Sequence, residues 1–472
     1  STTMHFMPGC EILQSFDLVH WEHVTYVYET LDHTDAQQLK SGQNIYGQGM
    51  WAASLRYHEG RFYICFVAND TRKTYLYTSE KIDGPWKKQL IEGFYHDGSL
   101  LFDEDGRNYI VYGNDEIWIT ELNEDLTAPK KDGLHRLLVS DHKNPELGYE
   151  GSHIQKINGY YYIFLVHSLR DRWMRTEACF YSDSLEGEFT GGDVLCDDRG
   201  YCGQGVAQGG IVDTPDGKWY AMLFQDSGAV GRIPILLPVT WKDHFPFFGQ
   251  NGHVPEEIEV HSTRPGYIYQ PLVGSDDFCN GLLPRWQFNH DPDPRYYHLD
   301  ALQGTYTITT REVCTELTQA VNTLTQRMSY PSCAAEVTVD ASALKEGDVA
   351  GLCALQGCYA AVGITKHHGK YEVLMLDKKE DGILDMTEGT VVESHQMDFR
   401  LEADFCNMKD EARCYYRVNK GDWLPIGTVH KLYFKLDHFT GCRFGLFCYA
   451  AEETGGSACF RDFKYYDVDE IS

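Results

Sequence analysis

The sequence predicts an all-β protein in which a five-bladed β-propeller is followed by a jelly-roll-like β-sandwich. Three observations support this fold class. The 472 residues are 13% aromatic and include 31 tyrosines and 44 glycines, a composition that favours strands and tight turns over helices. A hairpin pattern recurs four times in the first half of the chain. The second half alternates polar and apolar residues in short runs.

The repeated pattern has three fixed positions: a leading residue, a turn glycine nine residues later and a tyrosine three residues after the glycine. It predicts a strand, a tight turn and a returning strand, because glycine supplies the positive φ that hairpin turns need. The glycines are 46, 53 and 58 residues apart. Antiparallel units repeated at about 40–50 residues are typical of propeller blades. The four units are Trp51–Gly60–Tyr63, Asp97–Gly106–Tyr109, Glu150–Gly159–Tyr162 and Gln208–Gly217–Tyr220.

A second pattern, a serine-containing turn that ends on an aromatic residue, predicts an outer strand. Its three copies are SFDLVHW at 15–21, SEKIDGPW at 79–86 and SDSLEGEF at 182–189. The second and third copies follow an inner hairpin, whereas the first copy has none before it. The sequence therefore predicts five blades, the first of which lacks its innermost strand and, with it, a fifth axial residue.

The second domain is predicted to begin after a connector rich in Phe, Pro and Gly (HFPFFG at 244–249, then TRPG at 263–266). We assign residues 1–272 to the propeller and 273–472 to the sandwich. Runs such as CAAEVTVD at 333–340 alternate polar and apolar residues, as a half-buried antiparallel sheet does. A domain of this length and pattern fits a jelly-roll-like sandwich.

Charge and cysteine usage limit the partners and the compartment. A net charge of −29 argues against nucleic acid or an anionic membrane as the partner, since each requires a basic surface. The 15 cysteines are odd in number and include no C-x-x-C pair, which argues against a disulfide framework or a zinc site. They indicate buried thiols in a reducing compartment, so we expect a cytoplasmic protein. Secretion stays open because the sequence opens at Ser1, and an oligomer is possible.

The leading residues of the repeated units are expected to meet around the propeller axis. Two of them, Asp97 and Glu150, are carboxylates in the same register of adjacent blades. Paired carboxylates are the groups that most glycosidases use, so a glycosidase is the first hypothesis. The alternative is that both are ordinary surface or turn acids. Trp51, in the same register, is either plain core or an apolar platform for a sugar.

These motifs resemble those of glycoside hydrolase family 43, over nearly all of residues 1–255. From about residue 275 the chain is similar to the concanavalin-like sandwich that follows the propeller in β-xylosidase-type members. A match along both domains is more specific than any single motif. The stretches that carry the resemblance are HDGSLLF (96–102), YEGSH (149–153), WAASLRY (51–57), GGIVDTPDG (209–217), GRIP (231–234), WQFNH (286–290), NTLTQR (322–327) and GLCALQG (351–357).

The resemblance implies an inverting glycosidase with three acidic residues on a five-bladed propeller. Glu150 is the expected general acid, and Asp97 is expected to orient it and tune its pKa. Inversion needs acid and base roughly 6.5–9.5 Å apart, and a neighbouring carboxylate or burial raises the pKa of the acid. The family's general base is an aspartate on the first strand of blade one, and no residue of this sequence matches it. The sequence is then either a truncated or partly observed active enzyme or a short form that cannot hydrolyse.

The resemblance also implies substrate contacts. Arg232 is expected to hold sugar hydroxyls through its forked donors, against the alternative of a surface ion pair. His5 and Phe6 are expected to wall the −1 subsite, against simple packing in blade one. Gln225 and Asp226 are expected to line the mouth of the pocket.

Metal binding is the least determined property. Gln208 is a candidate substrate contact at a blade-five position where many family members have a histidine that helps to hold calcium in some of them. A metal there is therefore in doubt, and a solvated polar plug is the alternative. Asp277 and Asp462 resemble a structural calcium site of similar sandwiches, against ordinary strand-end acids. No cofactor is expected to be required.

The sequence therefore predicts an exo-acting inverting glycosidase, a β-xylosidase or an α-L-arabinofuranosidase that acts on xylan- or arabinoxylan-derived oligosaccharides. The two sugars present similar hydroxyl geometry, so the sequence does not separate these activities. The alternative from another class is a non-catalytic carbohydrate-binding propeller, which would hold if the base-bearing strand were truly absent.

Overall fold

The computed structural model describes residues 1–467 and confirms an all-β protein. Within these residues there are 34 strands and four short 3₁₀ segments, at Lys40–Gly42, Gly228–Val230, Leu317–Gln319 and Cys406–Met408. None of the helical segments in this range has the length and hydropathy needed to cross a bilayer. The chain begins with strands β1 (Phe6–Met7), β2 (Gly9–Gln14) and β3 (Glu22–Tyr28).

Four antiparallel sheets of four strands follow one another along the first half of the chain in a propeller-like arrangement. The strands of each sheet pair in sequence order, so each sheet is a local meander. Their bounds are β4 (Met50–His58), β5 (Arg61–Ala68), β6 (Lys73–Ser79), β7 (Lys87–Ile91), β8 (Ser99–Phe102), β9 (Asn108–Asn114), β10 (Glu116–Leu122), β11 (His135–Ser140), β12 (Glu150–Ile157), β13 (Tyr160–Ser168), β14 (Arg175–Ser182), β15 (Thr190–Leu195), β16 (Ala207–Asp213), β17 (Trp219–Asp226), β18 (Arg232–Lys242) and β19 (Phe245–Phe248).

The repeated pattern corresponds to the first hairpin of each of these sheets. Its glycines, at 60, 106, 159 and 217, have φ between 79° and 84°. A Cβ added at any of them would meet no atom within 4 Å, so these turns need glycine for its backbone conformation and not for space. The turn chemistry that predicted the hairpins is therefore the chemistry that forms them.

A fifth sheet has two strands: β2 pairs with β3, and no other strand of the described residues pairs with either of them. The observed architecture is thus four four-stranded sheets and one two-stranded sheet. The predicted serine turn at 15–21 connects β2 and β3.

Three of the inner strands carry a β-bulge at the leading residue of the repeat. The pairing register shifts between Met50 and Ala53 in β4, between Glu150 and His153 in β12, and between Ala207 and Gly210 in β16. A bulge bends the strand and redirects the side chains at that point, and it is frequent next to active sites. The leading residues are therefore turned away from regular sheet positions at the same level of three sheets.

The second half of the chain confirms a β-sandwich of two large antiparallel sheets. Its core joins buried side chains of both sheets, such as Val337 and Phe399 of one and Leu352 and Phe444 of the other. The bounds are β20 (Gln287–Asn289), β21 (Tyr297–Asp300), β22 (Thr305–Thr309), β23 (Leu324–Arg327), β24 (Ser332–Asp340), β25 (Val349–Leu355), β26 (Ala360–His367), β27 (Lys370–Lys378), β28 (Leu384–Met386), β29 (Thr390–Val392), β30 (Gln396–Asp404), β31 (Glu411–Val418), β32 (Leu424–Lys431), β33 (Arg443–Tyr449) and β34 (Ser457–Asp467).

Strand β24 differs from the half-buried strand that its alternation predicted. It lies between β34 and β30, and its polar face is covered as well as its apolar face. The carboxylate of Glu336 on that face accepts a hydrogen bond of 2.8 Å from Arg400. Polar residues on this strand are buried because neighbouring strands supply charged partners, which no local pattern reveals.

The two halves are joined through the amino-terminal segment. Strand β1 pairs with β20, so that Phe6 lies opposite Asn289 and Met7 opposite Phe288. The last strand of the propeller-like part ends at Phe248 and β20 begins at Gln287. The predicted boundary at 272–273 falls in the connecting chain and stays a prediction, whereas residues 6–7 belong to a sandwich sheet.

Candidate active site

The two carboxylates of the repeat lie side by side. Asp97 precedes β8 with φ of 49°, and Glu150 begins β12 at its bulge. One carboxylate oxygen of each and a ring nitrogen of His96 all lie within 4.8 Å of one another. The Nε2 atom of His96 is 3.5 Å from Oδ2 of Asp97 and 3.7 Å from Oε2 of Glu150. The repeat thus brings the two acids to a shared position.

Backbone and amide donors hold this pair in place. The N–H of Gly151 donates a 3.0 Å hydrogen bond to Oδ2 of Asp97, and Nδ2 of Asn114 donates a 2.7 Å bond to Oε2 of Glu150. Asp97 is buried, whereas the Glu150 side chain is 19% exposed. One carboxylate is therefore covered and the other reaches the solvent, an arrangement in which they can take different roles.

Burial and charge shift the ionisation of this cluster. The pKa of Asp97 is raised to about 6, mainly by burial and also by the nearby Glu150 charge, against the lowering effect of His96. Burial lowers the pKa of His96, but the close approach of the Glu150 carboxylate and the charge of Asp97 outweigh this and raise it overall. The cluster therefore retains protons in the mildly acidic range in which an acid catalyst works.

Gly151 is the residue that allows this close approach. Its φ is 67°, and an added Cβ would lie 2.8 Å from Cγ of Gln208. The backbone of Gln208 also has a left-handed φ of 62°, and its N–H donates a 2.7 Å hydrogen bond to Oε2 of the fully buried Glu177. Burial raises the pKa of Glu177 well above its ordinary value. The Gln208 side chain therefore packs against the backbone of Gly151, next to Glu150, and the hydrogen bond to Glu177 holds the Gln208 backbone in place.

Replacing Gly151 with alanine is expected to destabilise the fold by about 2–4 kcal/mol, because a left-handed conformation and a close contact are both imposed on the new side chain. Gly159→Ala is the matched control, since φ there is 84° but no atom lies within 4 Å of the added Cβ. The control should lose only the conformational part, about 1–2 kcal/mol. Urea unfolding of both variants measures the difference, and equal losses would mean that Gln208 simply moves aside.

Arg232 lies in the same site. Its guanidinium is stacked between the rings of Phe224 and Phe439, 4.4 Å from each centroid, and its Nε donates to Asp226 at 3.2 Å. Burial, and then the charge of Arg175, lower the pKa of Arg232 to about 10. The positive charge of Arg232 lowers the pKa of Asp97, and the negative charge of Glu150 raises the pKa of Arg232. This geometry excludes the alternative of a surface ion pair for Arg232.

Gln225 and Asp226 are each 3% exposed, so the structure corrects the prediction that they line the pocket mouth. The Asp226 carboxylate forms ion pairs with Arg175 and Arg232 and so positions the latter. The amide of Gln225 donates to the carbonyls of Asp198 and Gln204, at 2.8 and 2.7 Å. The end of β17 is buried beside the site and does not reach its rim. Both residues therefore position neighbouring protein groups and do not line the opening.

Trp51 lies at the edge of the cluster. Its ring packs edge-on against His96, with centroids 6.0 Å apart, and against Phe439 at 5.6 Å. The ring is half-buried, so part of its surface stays open. Trp51 is therefore positioned as a wall of the site, and its contact with a sugar stays a prediction.

The structure does not bring His5 and Phe6 to an open surface, because both are 0% exposed. The ring of His5 contacts those of His290 and His438, 4.8 and 5.2 Å away, and Phe6 lies under the guanidinium of Arg443 at 3.7 Å. The prediction that they wall the −1 subsite is corrected: pairing of β1 with β20 draws them into the junction of the two halves.

The three buried histidines predict loss of stability in acid. Burial lowers the pKa of His5, of His290 to about 3 and of His438 to about 4, with smaller contributions from neighbouring positive groups. Since these pKa values lie below the unfolded value of about 6.5, the folded state binds fewer protons, and its stability falls as the pH drops below about 6.5. Each of His290 and His438 should cost about 2 kcal/mol between pH 7 and pH 5.

Urea unfolding at pH 7, 6 and 5 tests this expectation by comparing the wild type with His290→Gln, in which the amide oxygen can replace Nε2 as acceptor for the N–H of Ile45. The slope of stability against pH should be shallower in the variant. Carboxyls of raised pKa such as Asp97 act in the opposite direction but are common to both proteins. The exposed control His261→Gln should keep the wild-type slope, and a wild-type slope in His290→Gln would contradict the expectation.

Asp277 and Asp462, the predicted calcium ligands, are both exposed. One oxygen of Asp277 accepts the N–H of Cys279. Two exposed carboxylates fall short of the six to eight oxygens that calcium takes, and within residues 1–467 the only group of three close His, Cys, Asp or Glu ligands is His96, Asp97 and Glu150. The side-chain geometry gives no support to a calcium site at Asp277 and Asp462. That site stays a prediction.

Sequence reasoning missed three residues of the site. His96 directly precedes Asp97 in the sequence, and Asn114 ends β9, the returning strand of the hairpin that follows Asp97. Their closeness to the carboxylates could therefore have been inferred from the repeat. Phe439 comes from the sandwich and has no local signal that would connect it with Trp51 or Arg232.

All 15 cysteines are free thiols, and ten of them are buried.

Comparisons with known proteins agree with this geometry. The family model described as Glycosyl hydrolases family 43 matches residues 1–246, and one described as Beta xylosidase C-terminal Concanavalin A-like domain matches residues 275–466. A β-xylosidase of Formosa agariphila is 25% identical over 99% of this chain and 85% of its own length. A non-reducing end α-L-arabinofuranosidase of Bacteroides ovatus is 24% identical over 64% of this chain and 59% of its own.

Two solved structures are similar along the whole chain. A bifunctional GH43-CE protein of Bacteroides eggerthii is 41% identical with a TM-score of 0.91, covering 99% of this chain and 60% of its own. A GH43 glycoside hydrolase engineered to display both endo-xylanase and exo-arabinofuranosidase activity is 27% identical with a TM-score of 0.85, covering 99% of this chain and 95% of its own. The chain thus spans less than two thirds of the bifunctional protein.

Proposed function

Because the chain belongs to glycosyl hydrolases family 43, we propose that it is an exo-acting inverting glycosidase that releases xylose or arabinose from xylan- or arabinoxylan-derived oligosaccharides. The names of its relatives, β-xylosidase and α-L-arabinofuranosidase, support this substrate class. The observation that carries the proposal is the close pair of carboxylates, Asp97 buried and Glu150 open to solvent, beside the cationic Arg232.

Glu150 acts as the general acid in this mechanism. It donates a proton to the glycosidic oxygen as the bond to the anomeric carbon breaks, which leaves the departing sugar as a neutral alcohol. Asp97 supports this step, because two like charges within 4.8 Å repel and the pair therefore keeps a proton more readily than a lone carboxylate does. The hydrogen bond from Asn114 fixes which oxygen of Glu150 faces the substrate.

Arg232 and Trp51 bind the sugar. Among residues 1–467 the only side-chain hydrogen bond of Arg232 runs from Nε to Asp226, so its remaining donors are available for sugar hydroxyls. The exposed part of Trp51 offers an apolar surface to the C–H face of the ring. Phe439 closes the site from the sandwich side, since it touches both residues.

A strand that pairs with β2 would supply the general base. The sheet of β2 and β3 would then be half of a fifth blade. Along β2 runs a cleft of about 440 Å³ with a mainly apolar lining that includes Cys10, Ile12, Ala53 and Ile64. The amino group of Ser1 lies in this cleft and donates to the carbonyl of Glu11. A strand attached there would cover these groups and could carry an aspartate towards Glu150, at the roughly 6.5–9.5 Å that inversion requires.

Hydrolysis of nitrophenyl β-xyloside and nitrophenyl α-L-arabinofuranoside tests the proposal, in the chain itself and in a chain extended at its amino end by an aspartate-bearing strand. Turnover by the extended chain, with the inverted anomer as the first product by NMR, is the expected result. Inactivity of both chains on both substrates would remove the assignment. Micromolar sugar binding by calorimetry without any product would instead support a carbohydrate-binding propeller, which the comparisons do not favour.

A further inference from the structure

The arrangement around His96 has a property that the hydrolytic mechanism does not use. Its Nε2 atom is buried and, among the residues that the structure describes, has no hydrogen-bond partner. The two nearest acceptors, on Asp97 and Glu150, are 3.5 and 3.7 Å away, too far for good hydrogen bonds. One possible ligand atom from each of the three residues nevertheless lies within 4.8 Å of the other two.

The separations of His96 Nε2 from the two carboxylates, 3.5 and 3.7 Å, are close to those of ligands that share one small ion. Two ligand atoms, each about 2.1 Å from a tetrahedral zinc ion, lie about 3.4 Å apart. One imidazole and two carboxylates form a ligand set suited to divalent first-row transition metals, because imidazole favours them over calcium and magnesium. The exposed fractions of His96 and Glu150, 18% and 19%, leave a route for the ion and an open fourth position.

We propose that His96, Asp97 and Glu150 form a binding site for one divalent transition-metal ion, with Zn²⁺ as the best-fitting example, and that the bound ion blocks the site for glycoside hydrolysis. The inhibitory part rests on the proposed function, since it follows from Glu150 being the acid. An oxygen that ligates the metal cannot hold the proton for the leaving group. The net charge of −29 raises the local concentration of cations around the protein.

The surroundings both favour and oppose such an ion. Trp51 packs edge-on against the ring of His96, whose Nε2 lies 3.5 and 3.7 Å from the two carboxylates. The hydrogen bonds from Gly151 and Asn114 fix the two oxygens without using all of their lone pairs. The charges of Arg232 and Arg72 act on this cluster and weaken the attraction for a cation. The site is therefore expected to bind metal reversibly and not as a permanent structural ion.

Titration with Co²⁺, which takes the place of Zn²⁺ and absorbs visible light, tests the site directly. The exposed thiols of Cys196, Cys202, Cys279 and Cys406 are first alkylated so that they do not compete. The wild type should bind one Co²⁺ with visible bands of a four-coordinate ion. His96→Gln and Asp97→Asn should each weaken this binding at least tenfold, since each removes one of three ligands.

His167→Gln is the matched control. Its Nδ1 is 3.3 Å from Asp141 and its Nε2 is 2.9 Å from Asp193, so its two carboxylates lie on opposite sides of the ring and cannot share one ion with it. Co²⁺ binding should be unchanged in this variant. Equal Co²⁺ titrations of the wild type and His96→Gln, or no saturable binding up to millimolar Co²⁺, would overturn the proposal.

Glycoside turnover in the same samples separates this inference from the proposed function. Zn²⁺ should inhibit hydrolysis competitively in the wild type. Variants that lose Co²⁺ binding should also lose this inhibition, and that result would support both the metal site and the proposed function. Metal binding that is lost in His96→Gln, in a protein that hydrolyses no glycoside with or without the added strand, would uphold the metal site and remove the proposed function. A third outcome is that the variants show Zn²⁺ binding at His96 while hydrolysis by the wild type is unaffected by Zn²⁺. That result would overturn the inhibitory part of the proposal.

Discussion

Replacement of Glu150 with glutamine is expected to lower the turnover of substrates with poor leaving groups by about 10²- to 10⁴-fold, the contribution typical of a positioned general acid. The amide keeps the size of the side chain and can retain a contact with Asn114, but it has no acidic proton to donate to the glycosidic oxygen. Substrates whose leaving group needs no protonation, such as dinitrophenyl glycosides, should lose much less. The measurement is kcat against leaving-group pKa in the form of the protein that hydrolyses nitrophenyl glycosides.

The control for this substitution is Glu146→Gln. Glu146 is an exposed residue four positions before Glu150, so its replacement removes the same charge without touching the cluster. Its kcat should stay near that of the wild type on every substrate. An equal loss for good and poor leaving groups in Glu150→Gln would assign Glu150 to a role other than proton donation.

Replacement of Asp226 with alanine is expected to destabilise the fold by about 3–5 kcal/mol, the range observed when one partner of a buried ion pair is removed. Asp226 is the shared anion of Arg175 and Arg232, and all three side chains are largely covered. Without it, two guanidinium groups face each other with no counter-charge between them. Urea unfolding monitored by tryptophan fluorescence gives the free energy of unfolding.

The matched control is Asp216→Ala. Its carboxylate is 49% exposed and 3.5 Å from Nζ of Lys218, so the two form a surface ion pair that solvent screens strongly. The same substitution type should therefore have a small effect at position 216 and a large one at 226. Similar unfolding midpoints for the two variants would show that water or another anion replaces Asp226.

Local patterns predicted the parts of the structure that local chemistry determines. The turn glycines and the returning tyrosines predicted the first hairpin of all four four-stranded sheets, and the structure confirms a propeller-like arrangement with a sandwich behind it. The resemblance to family 43 is confirmed as well. The register of the repeat also predicted that Asp97 and Glu150 would meet, because equal positions in equal hairpins point to the same axis. The roles of the two carboxylates stay predictions.

Contacts between distant segments were not predictable in this way. His5 and Phe6 were assigned to the pocket because the resemblance to family 43 implied that they wall the −1 subsite, yet β1 joins the sandwich sheet beside Asn289. Gln225 and Asp226 were assigned to the pocket mouth because they end β17, but that strand carries them beneath the site. Phe439 reaches the site from the other half of the chain.

The sequence by itself determined the repeating hairpins, the family and the pair of carboxylates, since each depends on residues close together or on a register repeated along the chain. Only the tertiary structure decided which side chains surround that pair. The stacking of Arg232 between two rings, the covering of His5 and the open nitrogen of His96 depend on how separate sheets pack. Packing between sheets is set by the sum of many non-local contacts, and no single stretch of sequence records it.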